Sequence, residues 1–354
     1  MVVRVVPASS LNRVQLARWS EIQRSVASLA SPFFCPEFTC LVSSVRNDVQ
    51  VGLLEADDEL VGFFPFQRRR FGVGAPVGSN LSDYHGIIAP EDMSIDAAEL
   101  LRACGLKTWE FNHVPASQTA FGKFSRSRWS STVIDLSSGF DAYARARRET
   151  GSSMIAKLGR SAGKLEREHG SLSYVQHTAD RAIFELLLEW KQRQLERIGA
   201  VNIFRRAWIR QMLRLVHETQ SDAFAGLLSV LYVGEEVVAV HLGMRSSTVL
   251  HSWFPAYDPR FARYSPGQIL YLKMAESVPS LGIRAIDFGP GEYQHKLRWQ
   301  SFETPLLVGI VEVPSLAAQA VRARRATKAL VRRTSLAPRV RSIGRGLIGV
   351  VGRR

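Results

Sequence analysis

Several things are scarce or missing from this 354-residue chain, and each absence excludes something. Cysteine occurs three times, as Cys35, Cys40 and Cys104, too few and wrongly spaced for a disulfide framework or a four-ligand zinc site. That usage fits a reducing compartment. No uncharged apolar run approaches the ~18 residues that would span a bilayer. Met1 to Ser28 lacks an apolar core flanked by a cleavage site, so no secretory signal is expected and a cytoplasmic protein is. There is no Gly-x-Ser-x-Gly nucleophile elbow, no Walker A loop and no dinucleotide fingerprint. No His, Cys or carboxylate cluster reads as a metal site, so no metal is expected. Zinc-finger, RNP-type and basic-zipper patterns are also missing, which leaves no signal for a specific nucleic-acid partner.

Acidic residues vanish at the end of the chain. After Glu312 there is none, whereas eleven Lys and Arg residues follow, from Arg322 to Arg354. Taking those eleven from the formal charge of +14 leaves residues 1–313 at +3, so the basicity is mostly a property of the tail. On a helical wheel Leu316, Ala320, Ala323, Leu330 and Val331 fall on one face, with Arg322, Arg325, Lys328, Arg332 and Arg333 opposite. Such a basic amphipathic helix suits an anionic membrane surface, each cation near the lipid contributing about 1 kcal/mol. A solvated or disordered tail is the plainer alternative.

What is present is ordinary globular material, 46% hydrophobic and 22% charged, long enough for two domains. Ser10 is placed to cap a helix through Leu29, and a second short helix is expected over Phe38 to Val45. Two hairpins stand out: Val49–Leu54 with Leu60–Gln67, and Leu227–Val233 with Val237–Arg245. Phe71 to Gly86 reads as glycine-rich loop. Two separated helix, helix, hairpin patterns suggest a tandem repeat of one α/β fold. Ala116 to Ser131 reads as a polar boundary loop. The expected division is residues 1–130, residues 131–314 and a tail of 315–354. In the second unit the helices span Phe140–His169 (interrupted at Gly151 to Ser153), Ala179–Arg197 and Trp208–His217. A strand over Val249–Tyr257 then leads through Tyr264-Ser265-Pro266-Gly267 to a helix, Gln268–Val278, and a strand, Ala285–Phe288.

Strand, glycine-containing turn, helix start and parallel strand is an arrangement suited to a pyrophosphate, because unpaired N–H groups and the helix dipole attract anions there. Ser265 is a good N-cap and Pro266 suits the first helical position, so the same residues are also common punctuation.

In these surroundings the region resembles the GNAT acyltransferase fold. More closely, the chain resembles the CelD/BcsL group of acetyltransferases associated with cellulose and exopolysaccharide biosynthesis, related to the tandem-GNAT Fem-type aminoacyltransferases. The resemblance runs to about Val313. It rests on Ser31-Pro32-Phe33-Phe34, Gly62-Phe63-Phe64-Pro65-Phe66-Gln67, Leu81-Ser82-Asp83-Tyr84, Trp190-Lys191, Phe254-Pro255-Ala256-Tyr257-Asp258, Ser265-Pro266-Gly267 and Ile286-Asp287-Phe288-Gly289. It implies tandem GNAT-like domains of mixed α/β fold and direct acyl transfer from acetyl-CoA or another acyl-CoA, so a covalent nucleophile is not needed. It also implies a donor site at Ser265, Pro266, Gly267 and Gln268. The donor loop departs from the usual Gln/Arg-x-x-Gly-x-Gly/Ala form by one extra residue and one glycine fewer. In the first copy, Pro76 and the lack of a following amphipathic helix argue against a second donor site.

For catalysis, Asp287 or Glu292 is positioned to serve as general base, and Tyr293, where GNAT enzymes commonly place it, as the acid that protonates the leaving thiolate. Lys296 and Arg298 are suited to an anionic acceptor or a donor phosphate. Lys191 and Tyr257 are further substrate-contact candidates, and Asp83 and Tyr84, with His85, are candidates for acceptor recognition between the copies. His241 and His251 read as core or cleft-lining histidines. A surface loop capping a strand is the plain alternative for the Asp287–Arg298 cluster. The implied acceptor is a sugar or amine-bearing precursor of a cell-surface polysaccharide; a Fem-like aminoacyl-tRNA transferase and a membrane-apposed, non-catalytic adaptor are the alternatives.

Overall fold

The structure, a computed structural model, describes residues 1–291 and 294–313. The basic segment 315–354, Glu292 and Tyr293 lie outside the described residues, and with them the expected tail helix, one candidate base and the candidate acid.

The chain divides into two compact units, Met1–Ser130 with a returning segment from Thr304, and Ser131–Glu303. Unit 1 begins with β1 (Val2–Pro7), α1 (Arg13–Ser25) and α2 (Pro36–Val45), then β2 (Val49–Ala56) and β3 (Glu59–Arg69). It continues with β4 (Val73–Ala75), α3 (Ala97–Ala103) and β5 (Thr108–Pro115). Next, β6 (Ser125–Asp135) leads into α4 (Phe140–Glu149), α5 (Met154–His169), β7 (Leu172–Val175), α6 (Arg181–Arg197) and α7 (Ala207–Glu218). Unit 2 is completed by β8 (Ala225–Val233), β9 (Glu236–Arg245), β10 (Val249–Tyr257), α8 (Pro266–Ser277), β11 (Ala285–Pro290) and α9 (Gln294–Leu297). Finally β12 (Phe302–Glu312) returns to unit 1, pairing antiparallel with β5 from Leu306↔Pro115 to Glu312↔Thr108. That return corrects the expected domain limit at 314: the continuous apolar run Leu306 to Val311 of β12 completes the first unit's sheet, where Leu307 and Val311 join its core.

The two units repeat one plan. In unit 1, β1, β2, β3 and β4 pair antiparallel in turn and β4 pairs parallel with β5; in unit 2, β7, β8, β9 and β10 do the same and β10 pairs parallel with β11. Two helices follow the first strand of each copy, and one helix joins the parallel pair. This is the mixed α/β tandem architecture expected from the sequence.

The local reasons are conventional. Asp57 and Asp58 both take positive φ (51° and 63°), as a two-residue turn matched to strand twist requires, and close the β2–β3 hairpin. The helix expected from Ser10 starts later, because Asn12 is the cap: its side chain accepts from the Gln15 N–H at 2.9 Å and Gln15 answers at the Asn12 N–H. Residues 116–131 are not all loop, since β6 already begins at Ser125. Unit 1 packs around Phe64, Trp109, Phe111 and Phe121, all fully buried. Unit 2 packs around Leu231, Val238, Ile269, Met274, Ile286 and Trp299.

Candidate functional site

In unit 2 the parallel strands β10 and β11 are paired at only three positions, Val249↔Ala285, Leu250↔Ile286 and His251↔Asp287. Beyond that last pair both strands run on without each other, so a fork opens with His251 and Asp287 at its base. Bulges sharpen the parting: Ser252 pairs with Gly243 and Phe254 with Leu242, leaving Trp253 as the extra residue of β10, and β11 slips against β6 between Asp287 and Pro290. The chain leaves β10 at Tyr257, makes a short turn and starts α8 at Pro266.

The start of α8 is not capped as expected. Ser265 adopts a left-handed conformation (φ 57°, ψ 51°), its side chain caps nothing, and its carbonyl accepts from Gln268 and Ile269 N–H at 2.9 and 3.1 Å. Pro266 has no N–H, and among the described residues no acceptor meets that of Gly267. Nothing inside the fold demands glycine at 267. Its φ is not positive, and an added Cβ meets only Tyr257 Cδ1 at 3.8 Å, an ordinary contact. The open N–H and the missing side chain therefore leave room for a group from outside the chain.

Behind the fork lies a buried polar network. His241 Nε2 is 3.0 Å from Ser252 Oγ, which is 2.9 Å from Tyr271 Oη. Burial, with help from His251 and Lys191, pulls the His241 pKa down to about 3, and burial pushes the Tyr271 phenol up to about 12. Both stay neutral at ordinary pH. Lys191 is also buried; its Nζ donates to Gln194 Oε1 at 2.9 Å and the Pro255 carbonyl at 3.2 Å, and burial lowers its pKa to about 8.

Asp287 is 5% exposed. Its Oδ1 accepts from Ser131 Oγ at 2.5 Å and from the Gly289 N–H at 2.7 Å, and lies 3.8 Å from His251 Nδ1. The carboxylate thus fixes the β11 bulge and faces an imidazole across the base of the fork. Lys296 points inward, donating to the Gly289 and Pro290 carbonyls at 3.0 and 3.2 Å, so it ties down the end of β11. The Gln268 side chain accepts from Trp299 Nε1 at 2.8 Å, while Tyr257 is half-buried beside Gly267 and Arg298 is exposed. Among the described candidates in unit 2, Tyr257, Gly267, Gln268 and Asp287 stand on the elements that form the fork, Lys296 bonds to β11 and Lys191 to β10, with His251, Ser252 and Tyr271 added, whereas Arg298 is on the surface. The two histidines were legible as polar residues inside apolar strands, but Tyr271 carried no such mark.

Asp83 and Tyr84 belong to unit 1, where both are buried. Asp83 Oδ1 stands 4.0 Å from His113 Nδ1. His85 Nε2 accepts from the Asn112 and His113 N–H groups, each at 3.1 Å, so the ring proton is on Nδ1. Burial, then His113, drives its pKa well below the ordinary value. Among the described residues no three His, Cys, Asp or Glu side chains gather as metal ligands. Nor is any described helix long and apolar enough to cross a membrane.

Residues 152–297, spanning the whole fork, match the family described as acetyltransferase (GNAT) domain. Unit 2 carries a GNAT-type acyltransferase domain. No curated protein matches the chain in sequence. In fold it is similar to FemX, at 10% identity and a TM-score of 0.55, over 91% of this chain and 99% of FemX. It is also similar to L-PGS from Bacillus licheniformis, at 12% identity and 0.50, over 89% of this chain and 96% of that one. A conserved protein of unknown function from Bacteroides thetaiotaomicron gives 11% and 0.52, over 87% and 100%. These likenesses are of fold. The GNAT domain expected from the resemblance is borne out.

Proposed function

We propose that the protein transfers an acyl group, acetyl in the simplest case, from acyl-CoA directly to a sugar or amine-bearing precursor of a cell-surface polysaccharide. One observation carries the donor half: the β10–β11 fork opens beside a helix start whose Gly267 is required by neither backbone nor packing. The resemblance to the CelD/BcsL group supports the acceptor half. Acyl-CoA would bring an activated thioester. The chain's part is to hold the donor's phosphates at the Gly267 N–H and α8 dipole, to take a proton from the attacking amine or hydroxyl at the Asp287–His251 pair, and to give a proton to the CoA sulfur as the C–S bond breaks, the role assigned to Tyr293 from the sequence. Asp287 orients as well as accepts, since its Oδ1 is already held by Ser131 and Gly289.

Isothermal titration of the full chain with acetyl-CoA and longer acyl-CoAs tests this; a folded protein that binds none of them rules out the CoA donor. The basic tail adds a second element, docking on an anionic membrane surface on the cytoplasmic side. Removing residues 315–354 should release the protein from anionic liposomes at low salt while sparing donor binding, and equal retention removes that element.

A second reading has its own observation. Lys157, Arg160, Lys164 and Arg167 form an exposed cationic row along α5, of a kind that suits a polyanionic donor such as aminoacyl-tRNA. Transfer from charged tRNA but not from acyl-CoA would favour it.

A further inference from the structure

Unit 1 repeats the fork but not the helix start. Its parallel strands β4 and β5 pair only at Val73↔Thr108 and Gly74↔Trp109, after which β5 runs on alone. The opening holds a cavity of about 260 Å³. Its walls are built rather than incidental. β12 bulges between Leu307 and Gly309 at the rim, and an added Cβ on Gly309 would stand 2.2 Å from the Phe124 carbonyl oxygen, so no side chain is possible there. On the opposite rim Gly78 and Ser79 take successive positive φ values of 76° and 53°. Ser79 is held there by a chain of bonds that begins at the Arg46–Asp48 ion pair: Gln67 Nε2 donates to Asp48 Oδ1 at 2.9 Å, Ser79 Oγ to Gln67 Oε1 at 3.1 Å, and Arg69 Nη2 to Ser79 Oγ at 3.0 Å. Gln67 is 2% exposed, so this chain anchors a rim arginine in the body of the unit.

The lining chemistry selects a ligand class. Arg69 and Arg126 supply cations, Asn80 and Asn112 paired donors and acceptors, and Glu110 a carboxylate. A polyanion such as a nucleoside triphosphate is disfavoured by Glu110, and the volume lies just below the ~300–1,000 Å³ of sites for drug-sized ligands. Acyl-CoA is disfavoured too, because the next α-helix begins only at Ala97 and offers no helix start at the fork. One anionic group on the arginines and a ring of hydroxyls on the amides and carboxylate match the polar part of the lining, and Val73, Pro76, Val308 and Ile310 leave an apolar part for the face of a sugar ring. We infer that the unit 1 fork binds a phosphorylated monosaccharide. The inference goes beyond the acyl-transfer reading and does not rest on it, since it concerns a ligand held by unit 1 alone.

The test is isothermal titration of the full chain with glucose 1-phosphate, glucose 6-phosphate, mannose 6-phosphate and N-acetylglucosamine 1-phosphate, with inorganic phosphate and glucose as separate arms. At least one sugar phosphate should bind, more tightly than either arm, and Arg126→Ala and Asn112→Ala should each weaken it at least tenfold. Both side chains stand at the cavity rim and neither is fully buried, so the fold should tolerate the changes, checked by thermal melting. Binding of none of the four sugar phosphates, unchanged affinity in both variants, or equal affinity for inorganic phosphate overturns the inference. An acetyl-CoA titration on the same samples separates the readings: loss of sugar phosphate with CoA retained defeats only this site, and the reverse defeats only the donor assignment.

Discussion

The two forks are the same piece of topology finished in two ways. In unit 2, eight residues separate the end of β10 from the start of a twelve-residue helix, so a helix N-terminus stands at the opening. In unit 1, β4 has three residues, twenty-one residues follow before α3, and α3 itself has seven. The first plan places a helix dipole and an open N–H at the fork, whereas the second places arginine and amide side chains there. The connection after the fourth strand, rather than the sheet, therefore decides what each copy can hold.

The largest expected effect is at the lip of the unit 2 fork. Gly267→Arg should lower acetyl-CoA affinity by more than 100-fold with the melting temperature nearly unchanged, while Asn80→Arg at the unit 1 fork should leave that affinity within about twofold. Equal losses in both variants would erase the distinction between the forks. Next comes Asp287→Ala, which strands the Ser131 hydroxyl and the Gly289 N–H; about 1–3 kcal/mol of stability should be lost in urea unfolding, along with transfer activity. Stability unchanged to within 0.5 kcal/mol, as an order-of-magnitude limit, would mean that the bulge is held by other groups.

Both forks have a buried neutral histidine nearby, His85 in unit 1 and His241 in unit 2. As pH falls below the ordinary histidine value of about 6.5, the unfolded chain takes up protons that the folded chain refuses. Stability is therefore full above about pH 6.5 and declines toward the folded value of about 3 for His241, by roughly 1.4 kcal/mol per pH unit for each such group. His241→Asn should flatten that decline, and an unchanged slope would place the ring in water. The smallest effect is at Ser265, whose side chain caps nothing. Ser265→Ala should change stability by less than ~0.5 kcal/mol, where a true N-cap would cost about 1. Ser265→Gly should gain up to ~1 kcal/mol by relieving the left-handed backbone.

Legibility followed burial and periodicity. The β2–β3 and β8–β9 hairpins were readable because apolar runs flank short polar turns, α5 to α7 because their apolar residues recur at helical spacing, and α8, which is apolar nearly all round, from the Ser-Pro-Gly start and the glycine beyond its end. Strands β1 and β7 escaped notice. They lie at the end of their sheets and alternate exposed with half-buried residues, so they carry no continuous apolar run. Strand β12 was missed for a different reason, since its partner β5 lies nearly two hundred residues earlier in the chain. At the candidate site, Asp287 and Gly267 were legible as punctuation after strands. The roles of Lys296 and Gln268 were not, because a lysine turned inward onto carbonyls and one free for a phosphate have the same local sequence.

The sequence by itself determined the α/β repeat, the confinement of excess positive charge to the tail, and the position of the glycine turn before α8. These are local quantities, set by residue periodicity, composition and backbone preference. Only the tertiary structure decided that β12 returns to unit 1, that the parallel strands part just beyond His251 and Asp287, and that a neutral His–Ser–Tyr chain lies behind that parting. Those depend on bulges and on burial by distant strands, and no window of neighbouring residues contains them.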